Sequence, residues 1–112
     1  MKEHFGNYML PVLDALSVFS GKWKIPIISA LCFYEECTFS ELEKVVQGIT
    51  PRMLSKELRE LEENLLIIRT VLPTRPVKIK YEITSYGRTS DSVMTALYDW
   101  GQKHRAKIKG KV

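Results

Sequence analysis

The chain has 112 residues, 45% hydrophobic and 27% charged, which suits one globular domain and excludes a disordered chain by composition. Lys and Arg number 17 against 13 Asp and Glu, and this net charge of +4 favours a polyanionic partner without requiring one. The longest apolar stretch, residues 25–33, is far short of the roughly 20 residues of a membrane-spanning helix.

The first residues carry no apolar run of the signal-peptide kind, so the cytoplasm is the expected compartment. Its reducing conditions suit two cysteines, Cys32 and Cys37, that form neither a disulfide scaffold nor a CxxC pair. With only His4 and His104 to join them, no metal site is expected, and no cofactor.

From Pro11, the apolar residues Val12, Leu13, Leu16 and Phe19 recur at helical spacing, and Ser20-Gly21 ends that helix. A second, very apolar helix is predicted over residues 23–34, where Pro26 is tolerable because it falls in the first turn. Residues 37–39 read as a short extended piece. Ser40 then caps a third helix, with Glu43 completing a capping box and Leu42, Val45 and Val46 forming its apolar face. Gly48 breaks it. Thr50 and Pro51 open a fourth helix as N-cap and first helical residue, running to about residue 63 or 64.

Beyond that point the period changes from helix to strand. Residues 67–72 are β-rich, and residues 73–76 form a loop. Val77, Ile79, Tyr81 and Ile83 then alternate with Lys78, Lys80 and Glu82, which predicts a two-stranded hairpin with one buried face. Thr84 or Ser85 caps a last helix whose apolar residues include Val93, Leu97 and Trp100. A helix-turn-helix over about residues 40–64 followed by a hairpin wing over about 67–84 is the winged-helix arrangement, an α+β fold that is mostly helical.

On the fourth helix, Leu54, Leu58 and Leu61 share one face and must be the core side. Arg52, Lys56 and Arg59 repeat the same spacing on the opposite face, flanked by Ser55, with Thr50 at the helix start. Such a face suits the major groove of double-stranded DNA, where Arg and Lys read guanine edges and hydroxyls bond phosphates. Glu57, Glu60, Glu62 and Glu63 are expected at the flanks or the C-terminal end. The wing adds Arg75 between two prolines, and Lys78 and Lys80 on the outward side of the following strand. Two separated basic elements on one small fold form a DNA footprint, whereas either alone reads as a solvated face.

Several motifs in order carry a family resemblance: Gly21-Lys22-Trp23, Phe39-Ser40-Glu41-Leu42, Ile49-Thr50-Pro51-Arg52-Met53-Leu54, Leu58-Arg59-Glu60-Leu61-Glu62, and Tyr81-Glu82-Ile83-Thr84 with Gly87. The chain resembles the HxlR-type winged-helix regulators, relatives of the MarR group, over about residues 11–100. The resemblance implies a transcriptional regulator that binds a pseudo-palindromic operator as a homodimer through helices from both chain ends, about residues 11–20 and 85–106. Val12, Leu13, Leu16, Phe19, Trp23, Val93, Leu97 and Trp100 are the expected interface residues, with Trp23 a packing anchor more than a DNA reader. Many members of the family carry a cysteine just before the proline of the first helix. Leu10 stands there in this chain, which speaks against thiol-based sensing.

The chain is thus read as one domain over residues 1–112. Asp14, His4 and His104 are read as surface residues, and Lys103, Arg105, Lys107, Lys109 and Lys111 as a solvated basic tail. Phe5, Tyr8, Phe19, Phe33, Tyr34, Tyr98 and Trp100 are packing residues first and lining for a small-molecule effector second. No phosphate-binding loop, HExxH or nucleophile elbow points to an enzyme. The alternative to a DNA-binding regulator is a winged helix that docks on a protein, and apolar residues on the outer face of the fourth helix would favour it.

Overall fold

The computed structural model describes residues 2–110. After a short 3-10 turn the chain forms α1 (Phe5–Val18), α2 (Lys24–Tyr34), β1 (Glu36–Thr38), α3 (Phe39–Val45) and α4 (Pro51–Glu63). It continues through β2 (Ile67–Leu72), β3 (Lys78–Ile83), α5 (Ser85–Arg88) and α6 (Asp91–Gly110). Among the described residues no helix is long and apolar enough to cross a membrane.

The core lies between α2, α3, α4 and one face of the sheet. Ile27, Ile28 and Leu31 of α2 meet Leu42 of α3 and Leu54, Leu58 and Leu61 of α4, all fully buried. Leu66, Ile67 and Tyr81 close it from the sheet side. A cluster of this size accounts for the stability of the central unit, because each buried Leu or Ile contributes about 1.5–3 kcal/mol relative to exposure. α1 and α6 lie at its edge, touching it through the half-buried Val18 and Met94, and neither has a fully buried residue.

The hairpin gains a third strand that the alternation pattern did not disclose. β1 pairs antiparallel with β3, giving the order β1-β3-β2 with Cys37 opposite Tyr81 and Arg69 opposite Tyr81 on the other side. The pairing also moves the start of α3. Thr38, where β1 ends, is the N-cap, not Ser40: its Oγ1 accepts from the Glu41 N–H at 3.2 Å, and Glu41 accepts from the Thr38 N–H at 2.8 Å. The bond from the Thr38 N–H, with the Thr38 hydroxyl beside it, holds the Glu41 carboxyl below its ordinary value. Of the expected apolar face of α3, Leu42 and Val46 are buried and Val45 is exposed.

Both terminal helices depart from expectation. α1 begins at Phe5, six residues before Pro11, and carries that proline inside it. Pro11 cannot donate to the Asn7 carbonyl one turn earlier, and the exposed surface of α1 leaves that carbonyl open to water. The last helix is split. Thr84 caps the short α5 through its Oγ1, which accepts from the Gly87 N–H at 2.8 Å, and α6 then starts at Asp91. Ser90, buried at the break, donates to the Gly87 carbonyl at 2.7 Å. α6 continues to Gly110, so Lys103, Arg105, Lys107 and Lys109 belong to a helix and not to a tail, while Lys111 lies outside the described residues.

Gly87 locks α5 to the base of the wing. A Cβ placed there would meet the Leu66 carbonyl oxygen at 2.2 Å and Ile83 Cδ1 at 2.8 Å. The Thr84 hydroxyl proton is shared between the Leu65 and Leu66 carbonyls at 2.8 and 3.1 Å, and the Thr84 N–H donates to the Leu66 carbonyl at 3.0 Å. The hairpin is thereby fixed relative to the helical core at both its ends.

Candidate nucleic-acid interface

α4 is built to present one face and bury the other. Thr50 caps it, accepting from the Met53 N–H at 3.2 Å, and Pro51 occupies its first position. Leu54, Leu58 and Leu61 are buried, and Arg52, Ser55, Lys56 and Arg59 are exposed on the opposite side. With Met53, these four residues line one shallow cleft. Ser55 and Arg59 continue into a second cleft with Glu62, Arg69 and Tyr81.

Arg69 is the residue that sequence reasoning missed. It sits on β2, which packs along α4, and its place beside Arg59 follows from the pairing of β2 with β3. At the wing tip Arg75 is exposed, and the Thr74 hydroxyl closes the loop by donating to the Pro76 carbonyl at 2.9 Å. Lys78 is exposed at the start of β3. Val77, expected on the buried face, is exposed as well and precedes the strand.

Two expected DNA contacts are placed differently. Lys80 is half-buried, with its Nζ 3.4 Å from Glu36 and 3.5 Å from Glu82, because β1 brings Glu36 alongside. The Glu36 bond raises its pKa against the opposing effect of desolvation, and its charge is balanced within the sheet. Lys56 lies on the basic face but leans towards Glu60 at 3.5 Å and Glu57 at 3.9 Å.

Those two carboxylates are not simply flanking charges. Glu57 is buried, and its Oε1 accepts from Lys24 Nζ at 2.5 Å; Glu60 Oε1 accepts from the same nitrogen at 2.6 Å. Lys24, on α2, is itself buried. Desolvation would depress its ammonium, but the bonds to Glu57 and Glu60 outweigh it and hold the pKa above the ordinary lysine value. The same contact lowers the Glu60 carboxyl.

Of the expected interface residues, Val12, Leu13, Leu16, Val93, Leu97 and Trp100 are exposed on α1 and α6. Phe19 and Trp23 instead pack against the edge of the core, Trp23 beside Gly48 and under the Lys22 ammonium at 4.8 Å. Tyr34 lines a cleft with Glu36, Cys37, Glu41, Lys44 and Val45, whereas Trp100 stacks on His104 with ring centroids 5.0 Å apart. Cys37 is buried and Cys32 half-buried, and desolvation pushes both thiols up. Among the described residues no group of His, Cys, Asp and Glu is arranged to hold a metal ion.

A helix-turn-helix whose second helix carries an exposed basic stripe, followed by a β-hairpin, defines the winged helix-turn-helix class of transcriptional regulators. The chain belongs to the HxlR family: the profile described as HxlR-like helix-turn-helix matches residues 18–109. It is 37% identical over 104 residues to the HTH-type transcriptional regulator YtcD of Bacillus subtilis (strain 168), covering 93% of this chain and 82% of YtcD. Among solved structures it is similar to the redox regulator HypR in its reduced form, with a TM-score of 0.81 and 32% identity, covering 89% of this chain and 98% of HypR. The reduced form of the transcriptional regulator YodB from B. subtilis gives a TM-score of 0.74 and 30% identity, covering 84% of this chain and 91% of YodB. The chain is a transcriptional regulator and not an enzyme.

Proposed function

We propose that the protein binds a pseudo-palindromic operator as a homodimer, in the cytoplasm, with α1 and α6 forming the contact between copies. The observation that carries the DNA reading is the exposed stripe Arg52, Ser55, Lys56 and Arg59, which continues into Arg69 across the neighbouring cleft. α4 of each copy inserts into a major groove, with the paired helices about 34–36 Å apart. Arg52, Arg59 and Ser55 supply base and phosphate contacts, the Thr50 hydroxyl adds a phosphate bond, and Arg75 and Lys78 reach from the wing. Between Arg52 and Arg59 the outer face of α4 offers a protein partner a single apolar side chain, the half-buried Met53, among four exposed polar or basic ones.

Support for dimerisation comes from the two terminal helices. A 14-residue and a 20-residue helix without one buried residue are poorly stabilised as isolated elements, and both carry large exposed apolar side chains. The radius of gyration, 16.8 Å, exceeds the roughly 13 Å of a compact chain of about this length.

Selection of bound fragments from a genomic pool, followed by footprinting, tests the proposal. Two protected half-sites one helical turn apart are expected, and Arg52→Ala should cost about 1–3 kcal/mol on the selected site if Arg52 reads a base. Equal loss on every sequence would make it a phosphate contact. Absence of any enriched fragment contradicts specific recognition.

A further inference from the structure

The four charges around α4 form a ladder from the core to the DNA-facing surface. Side-chain exposure rises from 6% at Lys24 through 10% at Glu57 and 38% at Glu60 to 64% at Lys56. Each carboxylate is divided between the two lysines. Glu57 and Glu60 both turn Oε1 to Lys24, and both turn Oε2 towards Lys56, at 3.9 and 3.5 Å respectively. Lys56 is therefore at once a member of the stripe that faces DNA and a competitor for two carboxylates on its own helix.

We propose that Lys24 is a positioning residue for DNA binding: by holding Glu57 and Glu60 from the core side, it frees Lys56 to engage a phosphate. The inference rests on the DNA-binding reading of α4. With Lys56 included, the cluster of two cations and two anions is neutral. When Lys56 swings to a phosphate, the cluster is left with one net negative charge, and Lys24 still holds both carboxylates at close range, the Lys24–Glu57 contact lying largely out of water, where screening by salt is weak. Without Lys24, the two carboxylates would face a single cation, Lys56, and the phosphate would have to displace both. Lys24 touches no DNA in this arrangement. It acts through α4 from the first turn of α2, 33 and 36 residues from its partners in sequence.

The test is binding of a short duplex of arbitrary sequence, followed by fluorescence anisotropy across a salt series, so that no operator need be known. Four proteins are compared: the unmodified chain, Glu60→Gln, Lys24→Met, and Lys24→Met/Glu57→Gln/Glu60→Gln, each checked for folding by circular dichroism. Glu60→Gln should bind roughly two- to fivefold tighter at low salt, the scale of one released surface ion pair. Lys24→Met should bind more weakly, with the slope of log affinity against log salt shallower by up to about 0.9, one lost phosphate contact. The triple variant should recover the slope of the unmodified protein.

A merely structural lysine would lower stability in Lys24→Met and leave the slope of the folded protein unchanged, and that result overturns the inference. Where Lys24→Met does not fold, Glu60→Gln decides, and unchanged binding by that variant overturns it too. If the unmodified chain shows no salt-dependent binding, the DNA reading falls and the inference with it. If it binds and the variants match it, the inference alone falls.

Discussion

Leu16→Ala probes the proposed contact between copies at a residue outside the core. Leu16 is 63% exposed on α1, so its replacement removes little that holds the single chain together. The change deletes three carbons, worth about 0.8 kcal/mol each when fully buried. Scaled by the exposed fraction, the loss at a dimer interface is about 1.5 kcal/mol per copy. A two-fold interface contains the residue twice, which makes about 3 kcal/mol and a dissociation constant raised on the order of 100-fold. Sedimentation equilibrium over a concentration series reads that constant directly, and thermal denaturation under monomeric conditions should shift by less than about 0.5 kcal/mol, as surface substitutions do. An unchanged dissociation constant, or a protein monomeric at every concentration before the substitution, would refute the assignment of α1 to the interface.

Three further outcomes follow from the geometry. Gly87→Ala forces a Cβ against the Leu66 carbonyl, backbone that is held by Thr84, and should cost about 3 kcal/mol. A fall of roughly 15 °C in the melting temperature checks it, and a melting temperature within a few degrees of the original would contradict it. Thr50→Ala removes the cap of α4 and should cost about 1 kcal/mol in urea denaturation, with an unchanged midpoint counting against the cap. The thiols of Cys32 and Cys37 titrate above the ordinary cysteine value, so near neutral pH less thiolate is present than in a free cysteine, and it appears only as pH rises. Alkylation by iodoacetamide at neutral pH should thus be slower than that of a free thiol, and a thiol oxidant should leave DNA affinity intact; rapid alkylation or loss of binding would reverse that conclusion.

Features written into adjacent residues were legible in the sequence. The Thr50-Pro51 pair marks the start of α4, the leucine spacing identifies its buried face, and the alternation around Tyr81 locates β3, because caps and periodicity are local signals. What escaped depends on partners distant in sequence. Thr38 and Ser40 each precede a glutamate by three residues, and only the pairing of β1 with β3, which ends at Thr38 opposite Lys80, decides between the two caps. The same pairing delivers Glu36 to Lys80 and removes that lysine from the free basic surface. Lys24, at the start of an apolar helix, carries no local signal of its role, which appears only when α4 packs against α2 and brings Glu57 and Glu60 to it. Arg69 lies on a strand whose period alone does not reveal its neighbour Arg59. Pro11 misled in the opposite direction: a proline is a local start signal, yet α1 runs through it from Phe5, although Gly6 and Asn7 are poor helix formers.

The exposed stripe of α4 is proposed to bind DNA. Its most direct test is anisotropy binding to genomic fragments across a salt series, for the unmodified protein and for an Arg52/Lys56/Arg59→Ala variant. Steep salt dependence is expected for the former, with a slope reduced by up to about 2.7 in the latter and with loss of fragment preference. Weak binding that the three substitutions leave unchanged would contradict it.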